Sequence, residues 1–235
     1  IAEAYGLELS DERAEVLLNA LQVLGAGLPL KLLNNRAQGL EAFSLALASA
    51  FLAEQGIFRH ALAIPLDMHQ ELFRERRARA VEEDVGLRRT DIALIRVTEE
   101  SEEPRIRFGV SLVEVKARAN LPDKTPPELV ESVSEQLENS RSVLRARLFG
   151  ADLTPPQRGL EATGQVKRLS RLLTHYAERA ARYGYLDGDR LAIVRQAAAS
   201  LEGSEFRLSF EKHALIFDLS GQSYVPERME DVVVR

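Results

Sequence analysis

One stretch, residues 107–118 with the sequence RFGVSLVEVKAR, most constrains how this chain can fold. Its β-branched and aromatic residues are typical of a buried strand. Glu114 and Lys116 are two residues apart, so they project from the same face, ~7 Å apart at a rise of about 3.3 Å per residue. Burying two charges beside Val113 and Val115 is costly unless something compensates them. We therefore expect a partner charge or a metal ion at this end of the strand.

A second predicted strand lies upstream, at residues 90–97, and carries Asp91 near its start. Residues 99–104 between the two strands are acidic and rich in turn-forming residues, which predicts a hairpin. The chain thus has an Asp, a hairpin and then Glu-x-Lys.

Two predicted helices flank this hairpin in the sequence. The first runs from Arg36 to about Gln55, is apolar nearly all the way round, and contains one exception, Glu41. Glu41 is either a first-turn glutamate favoured by the helix dipole or a residue of a site. The second helix follows Thr125-Pro126-Pro127-Glu128, with Thr as N-cap and Pro at the first position, and it carries Gln136.

The remaining segments predict a single α/β domain without repeats or linkers. We expect a core at about 37–150, a helical lead-in at 1–36 and a helix/strand extension at 151–235. Within these, residues 28–33 are expected to form a short strand or an extended lead-in. Further strands are expected at the following ranges: 57–66, 191–194, 206–210, 213–219 and, at the sheet edge, 232–234.

Composition excludes several classes of protein. The 235 residues include no cysteine, which rules out disulfides and thiolate metal sites. The four histidines show no zinc-binding spacing. No apolar run reaches the ~18 residues that span a bilayer, so we expect no membrane and a cytoplasmic location. The net charge of −5 argues against a protein that coats nucleic acid non-specifically.

The chain begins at Ile1, without a methionine, and we expect it to be a piece of a larger protein.

The order of these elements resembles the core of the PD-(D/E)xK nuclease superfamily over roughly residues 38–148. The resemblance is carried by Asp91, by Glu114 and Lys116, and by the helix with Glu41. Gln136 matches a glutamine that several branches of that family carry. The proline of the family's name is missing, because Thr90 precedes Asp91.

The resemblance implies a restriction-endonuclease-like fold, with a mixed central sheet flanked by helices, and Mg²⁺- or Mn²⁺-dependent hydrolysis of DNA. Asp91, Glu114 and the backbone carbonyl of Val115 would be the metal ligands. Lys116 would orient or deprotonate the attacking water, or neutralise the scissile phosphate. Glu41 would support the metal or add a ligand, and Gln136 would position Lys116 or the phosphate.

The expected partner is DNA, more specifically duplex DNA, because the chain lacks the aromatic–basic interleaving of single-strand platforms. Basic residues on two predicted helices could line a DNA groove: Arg141, Arg145, Arg147, Lys167, Arg168, Arg171, Arg179 and Arg182. A looser similarity is to nuclease modules of restriction and anti-phage defence proteins with HerA/FtsK-type ATPase motors. No phosphate-binding loop motif occurs here, so a motor would lie outside this chain. The sequence is compatible with a homo-oligomer and does not specify the oligomeric state.

Two alternatives to an active nuclease remain. The chain could be a catalytically inactive nuclease fold that binds DNA or docks onto a protein. It could also be a structural α/β domain in which Glu114 and Lys116 form an ion pair.

Overall fold

The computed structural model describes residues 9–73, 90–118, 126–149, 160–201, 206–220, 227–229 and 232–234. The helices are α1 (Asp11–Leu24), α2 (Leu28–Lys31), α3 (Arg36–Glu54), α4 (Pro127–Arg147), α5 (Leu160–Arg182) and α6 (Gly188–Ser200). The strands are β1 (Leu62–Pro65), β2 (Ile92–Glu99), β3 (Ile106–Arg118), β4 (Phe206–Asp218), β5 (Glu227–Met229) and β6 (Val232–Val234). Two 3₁₀ segments, Ile57–Arg59 and Leu66–Leu72, lie on either side of β1.

The strands form one mixed sheet in the order β1-β2-β3-β4-β6-β5. The pairs β1–β2, β2–β3 and β5–β6 are antiparallel, whereas β3–β4 and β4–β6 are parallel. Helices flank both faces, so the predicted α/β class with a mixed central sheet is confirmed. Among the described helices, none combines the length and the apolar character needed to cross a bilayer.

The side chains of β3 alternate between two hydrophobic cores. Phe108, Val110 and Leu112 point to one face, where they join the core formed with α4, α5 and α6. Val113 and Val115 point to the other face, into the core formed with α1 and α3. Glu114 continues the first row and stands where the next apolar side chain would be expected.

The C-terminal segment contributes an interior strand. β4 runs parallel to β3 along its whole length, from the pair Ile106–Phe206 to the pair Arg118–Asp218. The two strands predicted at 206–210 and 213–219 are therefore one strand, and the segment after residue 151 builds part of the same sheet. The strand at 232–234 exists, but β5 lies outside it at the sheet edge.

Two segments are helical against expectation: one predicted as a short strand or an extended lead-in, and one predicted as a strand. Residues 28–31 form α2, with Pro29 in its first turn, where a missing backbone N–H costs nothing. Residues 191–194 lie inside α6, whose N-cap Asp187 accepts a hydrogen bond from the backbone N–H of Arg190. The cap outweighs the local β propensity of a short Leu–Val run. The predicted Thr125 N-cap lies outside the described residues.

Candidate active site

The β2–β3 hairpin brings Asp91 and Glu114 together. Ile92 pairs with Val113, and continuing this antiparallel register by one residue places Asp91 opposite Glu114. Directly opposite residues share a face of the sheet, so both carboxyl groups lie on the same side. Asp91 is fixed there because its Oδ2 accepts a hydrogen bond of 2.7 Å from the backbone N–H of Val115.

Glu114 is one of the few charged side chains buried in the described part of the chain, with 1% of its surface exposed. Its Oε1 accepts a hydrogen bond of 2.6 Å from the Lys116 ammonium, which reaches back along the strand. Its Oε2 is buried and has no hydrogen-bond partner among the described residues. An orphaned carboxylate oxygen in the interior is costly, and a cation or a donor at this position would satisfy it.

Both carboxyl groups hold their protons more tightly than usual. The pKa of Asp91 is raised well above its ordinary value, chiefly because burial disfavours the charged form and secondly because Glu114 is close. Burial also raises the pKa of Glu114, although the Lys116 ammonium partly counters the rise. Two carboxyls with raised pKa values at one place form a site where added positive charge is favourable.

Two hydrogen bonds connect helix α4 to Thr90, the residue just before Asp91. The backbone N–H of Thr90 donates to the Ser140 hydroxyl at 2.7 Å, and the Thr90 hydroxyl donates to the backbone carbonyl of Gln136 at 3.3 Å. A proline at position 90 would have no N–H to donate. Thr90 therefore adds a hydrogen bond that orients Asp91 against α4.

We expect Ser140→Ala to destabilise the protein by about 1–3 kcal/mol, because it leaves the buried N–H of Thr90 without a partner. Thermal unfolding followed by circular dichroism measures this loss. Ser142→Ala, at an exposed hydroxyl two residues along the same helix, is the matched control and should change the free energy of unfolding little. Equal melting temperatures for both variants would show that the Thr90–Ser140 bond does not hold α4 in place.

A cavity of about 530 Å³ is lined by all six residues that the sequence predicted for the catalytic and metal site. Its lining includes Asp91, Glu114, Lys116, Val115, Glu41 and Gln136. The side-chain oxygen of Gln136 is buried and makes no hydrogen bond with the described residues. Glu41 lies at the wall contributed by α3 and its side chain is 40% exposed. The sequence prediction of which residues meet is thus consistent with the geometry of this cavity.

The residues present fit one hard divalent cation. Mg²⁺ takes oxygen ligands and keeps several waters, so one or two carboxylates suffice. Asp91 and Glu114 supply two, and Val115 lines the same cavity. Within the described ranges, no three acidic or histidine side chains are grouped closely enough to form a preassembled metal cluster. The orphaned Glu114 oxygen and the raised pKa values are the features that favour a cation here.

Sequence reasoning missed Asp67 and Lys31. Asp67 follows β1 and lines the cavity, and its carboxylate forms an ion pair with the Lys31 ammonium at the end of α2. The ammonium also lies 3.7 Å from Glu41. A carboxylate directly after a buried strand was a usable signal for Asp67, whereas Lys31 had none. Ser140 was detectable as a hydroxyl on the apolar stripe of α4.

Several basic residues expected to line a DNA groove have structural roles. Arg179 donates to the backbone carbonyls of Val23 and Gln22, and Arg147 donates to that of Leu72. Arg141 pairs with Glu138. Arg179 and Arg147 therefore connect different elements of the fold, whereas Arg141 pairs within α4. The exposed basic residues of this set are Arg145, Lys167, Arg168, Arg171 and Arg182.

A second cavity, of about 440 Å³, lies against the other face of the sheet, beside the C-terminal half of α3. Its floor is formed by β2, β3 and β4 and includes Gly109 and Val113. None of the predicted site residues lines it, so the two cavities are separate.

The chain was compared with protein-family models, with curated proteins and with solved structures, and no match was found. The function of the cavity is therefore argued from its own residues.

Proposed function

We propose that the protein is a Mg²⁺- or Mn²⁺-dependent DNA endonuclease with a restriction-endonuclease-like fold. The observation that carries this proposal is the meeting of Asp91, Glu114 and Lys116 in one cavity, with the pKa of both carboxyls raised. Phosphodiester hydrolysis needs an activated water and positive charge around the phosphate. These are the properties that this combination of residues supports.

Each residue has a distinct role in this proposal. Asp91 and Glu114, with the backbone carbonyl of Val115, would hold the cation, and the Val115 N–H keeps Asp91 oriented. A bound divalent cation polarises a phosphoryl oxygen and lowers the pKa of bound water. Lys116 adds a second positive charge and three N–H donors, with which it can orient water or contact the phosphate. Gln136 offers an unused acceptor at the same cavity, and Glu41 an outer carboxylate.

Duplex DNA is the substrate that we propose, because the exposed basic residues of α4 and α5 can contact phosphates without base-specific or stacking groups. We further propose a cytoplasmic module of a restriction or anti-phage defence system, working with an ATPase motor outside this chain. The looser sequence similarity supports this wider setting.

A second candidate is a catalytically inactive nuclease fold that binds DNA or docks onto a protein. One observation favours it: Lys116 already neutralises Glu114, so the pair is stable as an ion pair without a metal. The two candidates differ in whether a divalent cation displaces Lys116 from Glu114.

Cleavage of supercoiled plasmid DNA with Mg²⁺ or Mn²⁺ tests the proposal. The wild type should convert the plasmid to nicked or linear forms, and EDTA should stop it. Lys116→Ala and Asp91→Ala should both be inactive. Equal cleavage by all three proteins would mean that a contaminant cuts the DNA. Retarded DNA in a gel shift, with no cleavage by the wild type, would favour the inactive module.

A further inference from the structure

The cavity of about 440 Å³ on the α3 side of the sheet has a glycine in its floor. Gly109 lies inside β3, opposite Arg96 of β2 and Ser209 of β4. Among the described residues nothing requires glycine there: its φ is not left-handed, and an added Cβ would lie 3.9 Å from its nearest neighbours, an ordinary contact distance. A glycine inside a strand weakens the strand and often marks a place where a ligand approaches the backbone. The position of Gly109 is therefore typical of a site where a bound molecule lies on the sheet.

Two guanidinium groups of the cavity lie beside this glycine. Arg96 is exposed and forms no ion pair with the residues that the structure describes. Arg107 is two residues before Gly109 and shares its face of the sheet. The Glu100 carboxylate pairs with both Arg107, at 3.3 Å, and Arg207, at 3.0 Å. One carboxylate shared by two guanidiniums leaves a net positive charge, to which Arg96 adds another, so an anionic group above Gly109 is favourable.

The rest of the lining is partly polar and partly apolar. Among the described lining residues the one carboxylate is that of Glu211, opposite Ser111 on β4. Its Oε2 accepts a hydrogen bond of 3.2 Å from the Ser111 hydroxyl and lies 3.4 Å from His213 Nε2, so it does not pair with the arginines. Thr98, Ser209 and Gln55 add hydroxyl and amide groups. The apolar part is formed by buried side chains of the α3-side core: Leu52, Ala61, Leu94, Val113 and Leu215.

We propose that this cavity binds a nucleoside monophosphate, at a site separate from Asp91 and Glu114. The phosphate lies above Gly109 and accepts N–H donors from Arg96 and Arg107, whose planar forks suit phosphate oxygens. The sugar contacts the hydroxyl groups of the lining, and the faces of the base lie against the apolar part. A volume of about 440 Å³ is within the range of about 300–1,000 Å³ that small-molecule sites occupy. The inference does not depend on the proposed nuclease activity.

Isothermal titration of AMP, GMP, CMP and UMP into the full chain tests the inference. EDTA is present throughout, so that no divalent cation holds a nucleotide at Asp91 and Glu114. We expect at least one nucleotide to bind with a stoichiometry of one. Arg96→Gln should weaken its binding by about tenfold or more, because charge-assisted hydrogen bonds to the phosphate are lost. Inorganic phosphate alone and the matching nucleoside alone should each bind more weakly than the nucleotide by a similar factor.

Gly109→Val tests the role of the glycine. Valine favours strands and its side chain would occupy the floor of the cavity, so the melting temperature should not fall while nucleotide binding weakens by about tenfold or more. Arg195→Gln is the matched control for Arg96→Gln, because it removes an exposed arginine of α6 that does not line the cavity, and it should keep the affinity of the wild type. If Gly109→Val does not fold, Arg96→Gln alone decides.

Three results would overturn the inference and leave the proposed function standing. The first is a wild type that binds none of the four nucleotides. The second is a nucleotide whose affinity is unchanged by both Arg96→Gln and Gly109→Val, because it would then bind elsewhere. The third is inorganic phosphate that binds as tightly as the nucleotide, because the apolar part of the cavity would then contribute nothing.

Discussion

Asp91→Asn is expected to abolish DNA cleavage and, at the same time, to stabilise the metal-free protein. The activity should fall by about 10³-fold or more, because the metal supplies several kcal/mol of transition-state stabilisation and each 1.4 kcal/mol is a factor of ten. The amide preserves the shape of Asp91, and its oxygen can still accept from the Val115 N–H. Its new N–H₂ group can donate to Glu114, whose Oε2 has no partner among the described residues.

The stability gain follows from the raised pKa of Asp91. A carboxyl whose pKa rises on folding binds its proton more tightly in the folded state. The free energy of unfolding therefore falls as the pH rises from the ordinary titration range of aspartate through the raised pKa. A neutral amide removes this loss, so Asp91→Asn should raise the melting temperature at neutral pH by about 2–4 °C, which corresponds to about 1 kcal/mol. Below the ordinary range of aspartate the gain should disappear.

Glu138→Gln is the matched control, and its expected change in melting temperature has the opposite sign. Hydrogen bonds from Arg141 and Lys212 lower the pKa of Glu138, so its ionised form contributes stability above its ordinary pKa. This variant should lower the melting temperature at neutral pH and leave cleavage intact, because Glu138 does not line the cavity. If Asp91→Asn instead lowers the melting temperature at neutral pH, the buried charge of Asp91 does not destabilise the folded protein, and the explanation from its raised pKa is wrong.

Lys116→Met is expected to reduce cleavage by about 10²–10⁴-fold, the usual contribution of a positioned proton-transfer or charge-stabilising group. Mn²⁺ binding should be retained, because the carboxylates and the Val115 carbonyl remain. Methionine keeps the length of the side chain and removes the ammonium that lies 2.6 Å from Glu114. The buried Glu114 then lacks its counter-charge, so the metal-free variant should melt at a lower temperature than the wild type.

Added Mn²⁺ should raise the melting temperature of Lys116→Met more than that of the wild type, because the metal replaces the missing positive charge. Lys212→Met is the matched control. Lys212 lies on β4, the strand next to β3, and pairs with Glu138 of α4 at 2.8 Å; neither residue lines the cavity. Both variants should be destabilised, but Mn²⁺ should compensate only the loss at Lys116. Equal recovery of both variants would place the metal elsewhere.

The meeting of Asp91, Glu114 and Lys116 in one cavity could be predicted from the sequence because strand geometry fixes their relation. Glu114 and Lys116 share a face by the two-residue period, and a short hairpin brings the start of β2 opposite the end of β3. Asp91 therefore had to lie near Glu114 once both strands were recognised. Glu41 was noticed as the one exception on an otherwise apolar helix, and Gln136 was chosen because of the family resemblance.

Other features depend on packing that the sequence does not display. Lys31 forms ion pairs with Asp67 and Glu41 from the end of α2, a helix that a four-residue segment without periodicity could not reveal. The pairing of β4 with β3 joins segments about a hundred residues apart, so no local pattern specifies it. In the sequence, Thr90 is notable only because it replaces the proline of the motif. Its two hydrogen bonds to α4 depend on the tertiary structure.

The most direct test of the central claim is the anomalous difference density of Mn²⁺ in crystals of the metal-free protein soaked with the ion. A metal site at Asp91 and Glu114 predicts a peak within coordination distance of both carboxylates and of the Val115 carbonyl, with the Lys116 ammonium moved away from Glu114. A cavity without a peak, in which Lys116 still bonds to Glu114, would contradict the claim and leave an ion pair in its place.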